Sequence, residues 1–493
     1  MALPVPGGAG TTGPADPTAA PPSQAPTRRG TELLLLAFAA GMMTIALVLV
    51  EGNQEQQLTM QIVYYGLAYL ALFGVAHLAV RRWARYADPL ILPCVSLLNG
   101  IGLVMIHRID LAAAESGARA DRQVTAVAPR QVLWMVLAVI FFVLVLRLVR
   151  DHRTLARYSY ICGLVGLAAL VLPGVLPYSL SGHGGAKVWL NFGVAEIQPG
   201  EFAKILLIIF FASFLVAKRD LFMTAGRTFL GLELPRLRDL GPLLFALLIA
   251  VGVLALEKDL GNSLLLFGVV LVLLYVATER AAWVVIGLVP FMSACILAYH
   301  LFGHVQQRVA NWLDPLSKAL YYSQGGSQQL AQSLFGLGTG GVFGTGLGAG
   351  RPEVVPEANS DFIISGIGEE MGFVGLAALL LVYLILTMRG MRGAVAVRDT
   401  FGKLLGGGLA FSIAWQVFVV VGGVTDLIPE TGLTTPFMSA GGSSLLANYI
   451  LVALLLRISD AARRPARSGG SRPQLAPRTL LPAAQTVLVE RPL

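Results

Sequence analysis

Four short stretches hold the ionisable residues that could do chemistry in this chain. "IQPGEFAKILL" (197–207) sets Glu201 and Lys204 three apart, on one face of a helix that Pro199 is suited to open, either as a plain helix-start acid with a nearby lysine or as a pair facing a cavity. "LEKDLGNS" (256–263) carries Asp259 ahead of Gly261 in a very short turn, either as a cap for the next helix and no more or as a functional acid. "NSDFIISGIGEEMG" (359–372) opens on Asp361 and carries Glu369 and Glu370 two to three turns further in. Two carboxylates at that depth are hard to explain as solvated; they call for a functional role or for structural pairing with Arg or Lys. "QQRVANWLDPLSK" (306–318) places Arg308 and Asp314 six apart, with Trp312 between and Pro315 behind. Asp314 in that setting is a turn residue or, in a long loop, a functional one. As a set these groups suit proton transfer by carboxylates and the holding of negative charge by cations.

The elements that must position them are membrane spans. The chain has 493 residues, 56% of them hydrophobic and only 13% charged, with a mean hydropathy of +0.72. Charges so sparse cannot coat a soluble surface of this size. The apolar residues also come in long runs, each about the 17–25 residues that cross a bilayer. Twelve such runs stand at 32–50, 62–80, 89–106, 131–148, 158–176, 201–217, 241–256, 263–278, 282–301, 361–388, 404–422 and 436–457. The run 361–388 exceeds a bilayer thickness and is expected to tilt or protrude. The fold class is therefore all-α, a polytopic integral membrane protein of about twelve transmembrane helices.

Loop charges set the expected orientation. "RRWARY" (81–86), "RLVRDHRTLAR" (147–157), the segment 218–239, "TER" (278–280) and "MRGMRGAVAVRD" (388–399) are basic. They alternate without a slip with "EGNQEQQ" (51–57), 107–130, 181–200, "EKDLG" (257–261), 302–360 and 422–433, which are neutral, mixed or acidic. The pattern predicts both termini in the cytoplasm and 302–360 outside. It also accounts for the net charge of +8 without nucleic acid. "GLGTGG" (336–341) matches a dinucleotide fingerprint, but no strand precedes it and it lies on the wrong side of the membrane, so no nucleotide is expected. Its glycines are expected to serve tight turns and close backbone packing. Cys94, Cys162 and Cys295 lie in apolar runs with no disulfide or metal spacing.

Several stretches together resemble one family. "GAKVWLNFG", "IQPGEFAK", "EKDLGNSLLL", "RVANWLDP", "QSLFGLGTGGVFGTGLG", "PEANSDFIISGIGEEMGFVG" and "TGLTTPFMSAGGSSLLANYI" occur in family order over residues 88–460. They are similar to the SEDS proteins (RodA, FtsW and SpoVE), membrane glycosyltransferases that polymerise lipid II into peptidoglycan. The resemblance implies a ten-span core at 83–460 with the large loop 302–360. The two spans at 32–82 look like the N-terminal extension of actinobacterial members of RodA type. Residues 1–31 and 461–493 are disordered cytoplasmic tails by composition.

The resemblance also implies roles. The family's essential aspartate falls on Asp314, the candidate base or the ligand of an activating divalent cation, Mg²⁺ or Mn²⁺. The family's functional Glu and Lys fall on Glu201 and Lys204. Arg308, Lys187 and Lys204 are candidates to hold diphosphate, with Asp259, Asp361 and Glu370 as further substrate contacts. The implied partners are lipid II, the lipid-linked nascent glycan, membrane lipid and a class B penicillin-binding protein. The implied location is the bacterial cytoplasmic membrane. A lipid II flippase and a non-catalytic scaffold are the rival readings. Gly200, Asn359 and Ala440 depart from the family's usual Ser, His and Tyr, and the segment after Asp314 lacks its second Asp-Pro and Gly-Tyr pattern.

Overall fold

Long apolar runs with few breakers have one stable form in hydrocarbon, the helix, because it satisfies every backbone polar group internally. The computed structural model bears this out. It describes residues 27–54, 60–119, 125–183, 186–191, 193, 196–219, 227–229, 232–234, 252 and 259–465. The compact unit Thr27–Arg463 contains α1 (Arg29–Asn53), α2 (Met60–Trp83), α3 (Ile91–Arg119), α4 (Ala128–Leu148), α5 (Arg153–Arg157), α6 (Ser159–Val175), α7 (Tyr178–Ser181) and α8 (Pro199–Ala217). After these come α9 (Leu260–Thr278), α10 (Ala282–Leu301), α11 (Gly303–Leu313), α12 (Lys318–Tyr321), α13 (Gln328–Gly340), α14 (Ile363–Ala396), α15 (Thr400–Val424) and α16 (Gly442–Arg463). Among the described residues ten helices are long and apolar enough to cross a membrane, and α6 is a shorter apolar helix in an eleventh expected position. The expected span 241–256 lies outside the described residues.

Helix starts follow local chemistry. Asp259 caps α9 by accepting from the Asn262 N–H, and Asp399 caps α15 by accepting from the Gly402 N–H. Pro199 occupies the first turn of α8, where no amide donor is missed. Small residues let neighbouring helices approach: Gly390 of α14 faces Ala410 of α15, and Gly406 faces Ala394. The outward faces stay apolar, with Leu34, Phe38, Ile45, Leu164, Ile296 and Leu384 exposed to what is a bilayer in the cell. The segment 302–360 gathers at one end of the bundle, here the loop face. The opposite end is the tail face, where Arg457 donates to the carbonyls of Trp83 and Leu146.

Two elements differ from the simple spans expected. Helix α14 is broken at Gly372 (φ 66°, ψ −171°), which divides the apolar run into a short half-helix and a membrane-length one. The break is splinted by the chain just after α13. Phe373 and Val374 donate N–H bonds to the carbonyls of Gly341 and Val342 (2.9 and 3.0 Å), and Thr345 and Gly346 donate to those of Glu369 and Glu370 (both 3.0 Å). The length of 361–388 is thus resolved by a break, and the second half runs on to Ala396. The glycine-rich stretch is only partly turns: Gly336, Gly338 and Gly340 lie within α13, while Gly341, Gly344, Gly346 and Gly348 take positive φ.

The second difference is within 434–441, of which 436–441 is the expected start of a span. The chain there is non-helical and α16 begins at Gly442. Its carbonyls are met by side chains of spanning helices: Tyr383 donates to Pro436 O (2.5 Å), Asn99 to Phe437 O (2.9 Å) and Gln131 to Ser439 O (3.2 Å). Irregular backbone at this depth is tolerated because protein satisfies it.

Candidate active site at the loop face

The half-buried charges of the loop face converge on Arg308, which α11 carries. Its Nη1 donates to the Glu430 carbonyl oxygen at 3.1 Å. Gly432, in the left-handed region at φ 68°, passes beside it. A Cβ there would lie in ordinary contact, 3.7 Å, with both Arg308 Nη2 and Asp361 Oδ2, so the Arg and the Asp flank the same turn of backbone, whose positive φ suits glycine. Asp259 joins from the α8–α9 side. Asn262 donates to both of its carboxylate oxygens, from N at 3.1 Å and from Nδ2 at 2.7 Å. Asp259 is therefore a helix cap and also part of the charge cluster.

Burial is the main influence on the three acids. It pushes the carboxyls of Asp259, Asp361 and Glu430 above their ordinary range, and the Arg308 guanidinium only partly offsets this. Their mutual repulsion adds to the rise: Asp361 acts on Glu430, and Asp259 on Asp361. Carboxyls held this way exchange protons nearer neutrality than exposed ones do.

Glu201 and Lys204 lie next to this cluster, buried on the first turns of α8 as their spacing predicted. Lys204 Nζ donates to Glu201 Oε2 at 2.9 Å and to Gln416 Oε1 of α15 at 3.0 Å. Gln416 Nε2 donates in turn to the Thr434 carbonyl (2.8 Å), and the Gln198 N–H reaches Ser443 Oγ (2.9 Å). The pair thus ties α8 to α15 and, through Gln416, to the non-helical segment 434–441, while Gln198 ties the start of α8 to the start of α16. Glu201 is near enough to Asp259 to raise its carboxyl further.

Asp314 ends α11, six residues beyond Arg308, about 9 Å along the helix axis. It is exposed at the rim. Its helix is held by Trp312 Nε1 donating to Asp426 O (3.0 Å) and by Asn311 Nδ2 donating to Gly325 O (3.1 Å). Lys187 is not brought to the cluster by any contact seen here: its Nζ donates to Leu176 O at 3.3 Å, at the C-terminal end of α6. Glu370 is engaged elsewhere, by Arg108 Nε (2.9 Å) and the Gly348 N–H (2.9 Å). Glu369 accepts from the Arg351 N–H (2.8 Å). The Arg partner anticipated for these two carboxylates is Arg108 for Glu370.

Sequence reasoning passed over Glu430, Gln416 and Arg108. Gln416 and Arg108 carried a signal, as polar residues in or at the end of apolar runs; Glu430 in "PETG" carried none. Among the described residues no three His, Cys, Asp or Glu side chains gather into a metal-holding group. The departures at 359 and 440 fall together, since the Ala440 N–H donates to the Asn359 carbonyl at 2.8 Å.

The chain is similar to known proteins over most of its length. The chain is 54% identical to the peptidoglycan glycosyltransferase RodA of Mycobacterium tuberculosis over 468 residues, 94% of this chain and 97% of that one. It is 32% identical to the stage V sporulation protein E of Bacillus subtilis over 385 residues, 76% of this chain and 98% of that one. Among solved structures, a chain from a peptidoglycan synthase complex that coordinates polymerization and crosslinking matches with TM-score 0.59 and 25% identity, covering 76% of this chain and 98% of that one. The rod shape determining protein RodA of Thermus thermophilus shares the fold, with TM-score 0.53 and 24% identity, over 76% of this chain and 96% of that one. Residues 90–464 match the cell cycle protein family FtsW/RodA/SpoVE, and the chain belongs to it.

Proposed function

We propose that the protein is a peptidoglycan glycosyltransferase that joins lipid-linked disaccharides into glycan strands at the outer surface of the cytoplasmic membrane. The observation that carries this reading is the near full-length match to glycosyltransferases of RodA type, on a chain whose half-buried charges gather at one membrane face. The alternating basic loops support assigning the loop face to the outside and both termini to the cytoplasm.

The chemistry needs one in-line displacement. The 4-hydroxyl of an acceptor lipid II attacks the anomeric carbon of the growing glycan. A base takes the hydroxyl proton, the new C–O bond forms, and undecaprenyl diphosphate leaves with the electron pair of the broken bond. An α-linked diphosphate so becomes a β-linkage. Asp314 is the base by its position in the family motif, and its exposure at the rim leaves it open to a sugar arriving along the membrane surface. Arg308 amid three protonatable acids suits a hydroxyl-rich sugar, which can accept from Arg308 and donate to Asp361 or Glu430. Lys204, held by Glu201, contributes fixed positive charge beneath it. The match to a synthase chain that works with crosslinking supports a transpeptidase partner, a class B penicillin-binding protein.

The test is polymerisation of purified lipid II by the protein in nanodiscs, with and without that partner. Glycan chains resolved by length are the expected product. A folded protein that moves lipid II across the bilayer but makes no polymer is a flippase. One that only stimulates its partner's own polymerisation is a scaffold. Either result overturns the reading.

A further inference from the structure

Helices α1 and α2 precede the family match, which begins at residue 90, yet α1 is fastened to a loop inside it. At the loop face Asn53 Nδ2 donates to the Leu347 carbonyl, and Gln54 Nε2 donates to the Gly348 carbonyl at 2.5 Å. The fit is close. A Cβ on Gly348 (φ 83°) would stand 3.0 Å from both Val50 O and Asn53 Cβ, so this glycine accommodates α1 as well as its own turn. Just below, Glu51 of α1 meets His107 Nε2 of α3 at 3.2 Å, both buried, and the Tyr65 ring of α2 packs edge-on against His107 (centroids 5.2 Å apart).

The loop so held is the one that fixes α14. The Gly348 N–H donates to Glu370 Oε2 (2.9 Å), Arg108 bridges Glu370 Oε1 (2.9 Å) and the Gly350 carbonyl (2.6 Å), and residues 341–346 splint the break at Gly372. From that break the half-helix Ile363–Met371 leads back to Asp361 at the Arg308 cluster. It is nine residues, about 13 Å, and its other end is tied where Ser439 Oγ donates to the Ser360 carbonyl at 2.6 Å. A rigid rod this short passes a displacement at one end to the other.

We propose that α1 is a positioning element of the polymerisation site: Asn53 and Gln54 seat residues 347–350, which hold the half-helix that presents Asp361. Helices α1 and α2 also have a separate fastening at the tail face. There Glu32 pairs with Arg29 and with His77 Nδ1 (2.8 Å), and Arg29 donates to the Ala87 carbonyl. The two attachments can therefore be loosened independently.

The proposal rests on the polymerase reading, for which wild-type turnover in the same assay is the control. The test is the double variant Asn53→Ala/Gln54→Ala in nanodiscs. Both positions are at least partly exposed, so the fold should survive. Its polymerisation kcat should fall about tenfold, short of the roughly hundredfold that a full ångström of misplacement costs, with KM for lipid II little changed. Amide exchange should quicken at 341–350 and 363–372. Glu32→Gln, which loosens only the tail face, should lower the thermal midpoint and leave kcat at low temperature near wild type. A double variant with wild-type kcat overturns the proposal. So does a loss that disappears on cooling below its own melting transition, which would make α1 a stabiliser only.

Discussion

Lys204 of α8 and Gln416 of α15 meet at 3.0 Å inside the helix bundle, with Glu201 on the other side of the ammonium at 2.9 Å. Glu201 is 2% exposed and Lys204 4%, so removing either one strands a buried charge. Lys204→Met should destabilise by about 3–5 kcal/mol, and Glu201→Gln/Lys204→Met should recover most of that. If the pair serves the reaction, the recovered double variant still polymerises about 10²-fold more slowly than wild type. Chain formation by that stable double variant decides the matter: near-normal rates reduce the pair to a structural tie.

Asp314 and Asp361 can be separated by the same substitution. Asp314→Asn sits on an exposed helix end and should fold normally, while losing about 10² or more in rate if Asp314 is the base. Asp361→Asn keeps a hydrogen-bonding side chain beside Arg308 and should lose less. A well-folded Asp314→Asn protein with near-normal turnover, alongside an inactive Asp361→Asn, would move the base into the cluster.

The acid cluster makes stability depend on pH. Burial raises the native carboxyls of Asp259, Asp361 and Glu430 above the ordinary value, about 4. Between the ordinary and the raised values the folded protein binds more protons than the unfolded chain, so stability falls as pH rises through that window. Below it the cost is absent, and above it the cost is complete. The thermal midpoint of Asp361→Asn/Glu430→Gln should therefore gain on wild type as pH is raised from about 4. A gap that narrows with rising pH contradicts the assignment.

The break in α14 depends on Gly372. Its φ and ψ belong to a region open essentially to glycine, and a Cβ would lie 2.2 Å from the Gly344 nitrogen. Gly372→Ala should cost at least about 2 kcal/mol. Gly407→Ala is the control, in a regular helix with nothing within 4 Å, and should be neutral or gain about 0.5–1 kcal/mol. Comparable thermal midpoints for the two variants would show that the break is dispensable.

Orientation is read by labelling. In a background without Cys295, which is exposed, cysteines at Ser317 and Arg464 should react with an impermeant thiol reagent from opposite sides of the membrane. Reaction from the same side would refute the assignment of the loop face to the exterior.

The sequence by itself determined the class of fold and the places where helices run. Length and continuity of apolar runs are sufficient for that, because hydrocarbon permits only internally bonded backbone. It also determined the Glu201–Lys204 pair, since three-residue spacing on one helix is a local property. Tertiary structure decided what joins across the chain. That Arg308 gathers Asp259, Asp361 and Glu430, and that Glu370 is taken by Arg108, depends on which spans pack together. The Glu370–Arg108 contact alone links positions 262 residues apart. The sequence was also silent on the breaks at Gly372 and at 434–441. An apolar run reads as one helix, whereas partners distant in the chain supply the hydrogen bonds that let it be interrupted.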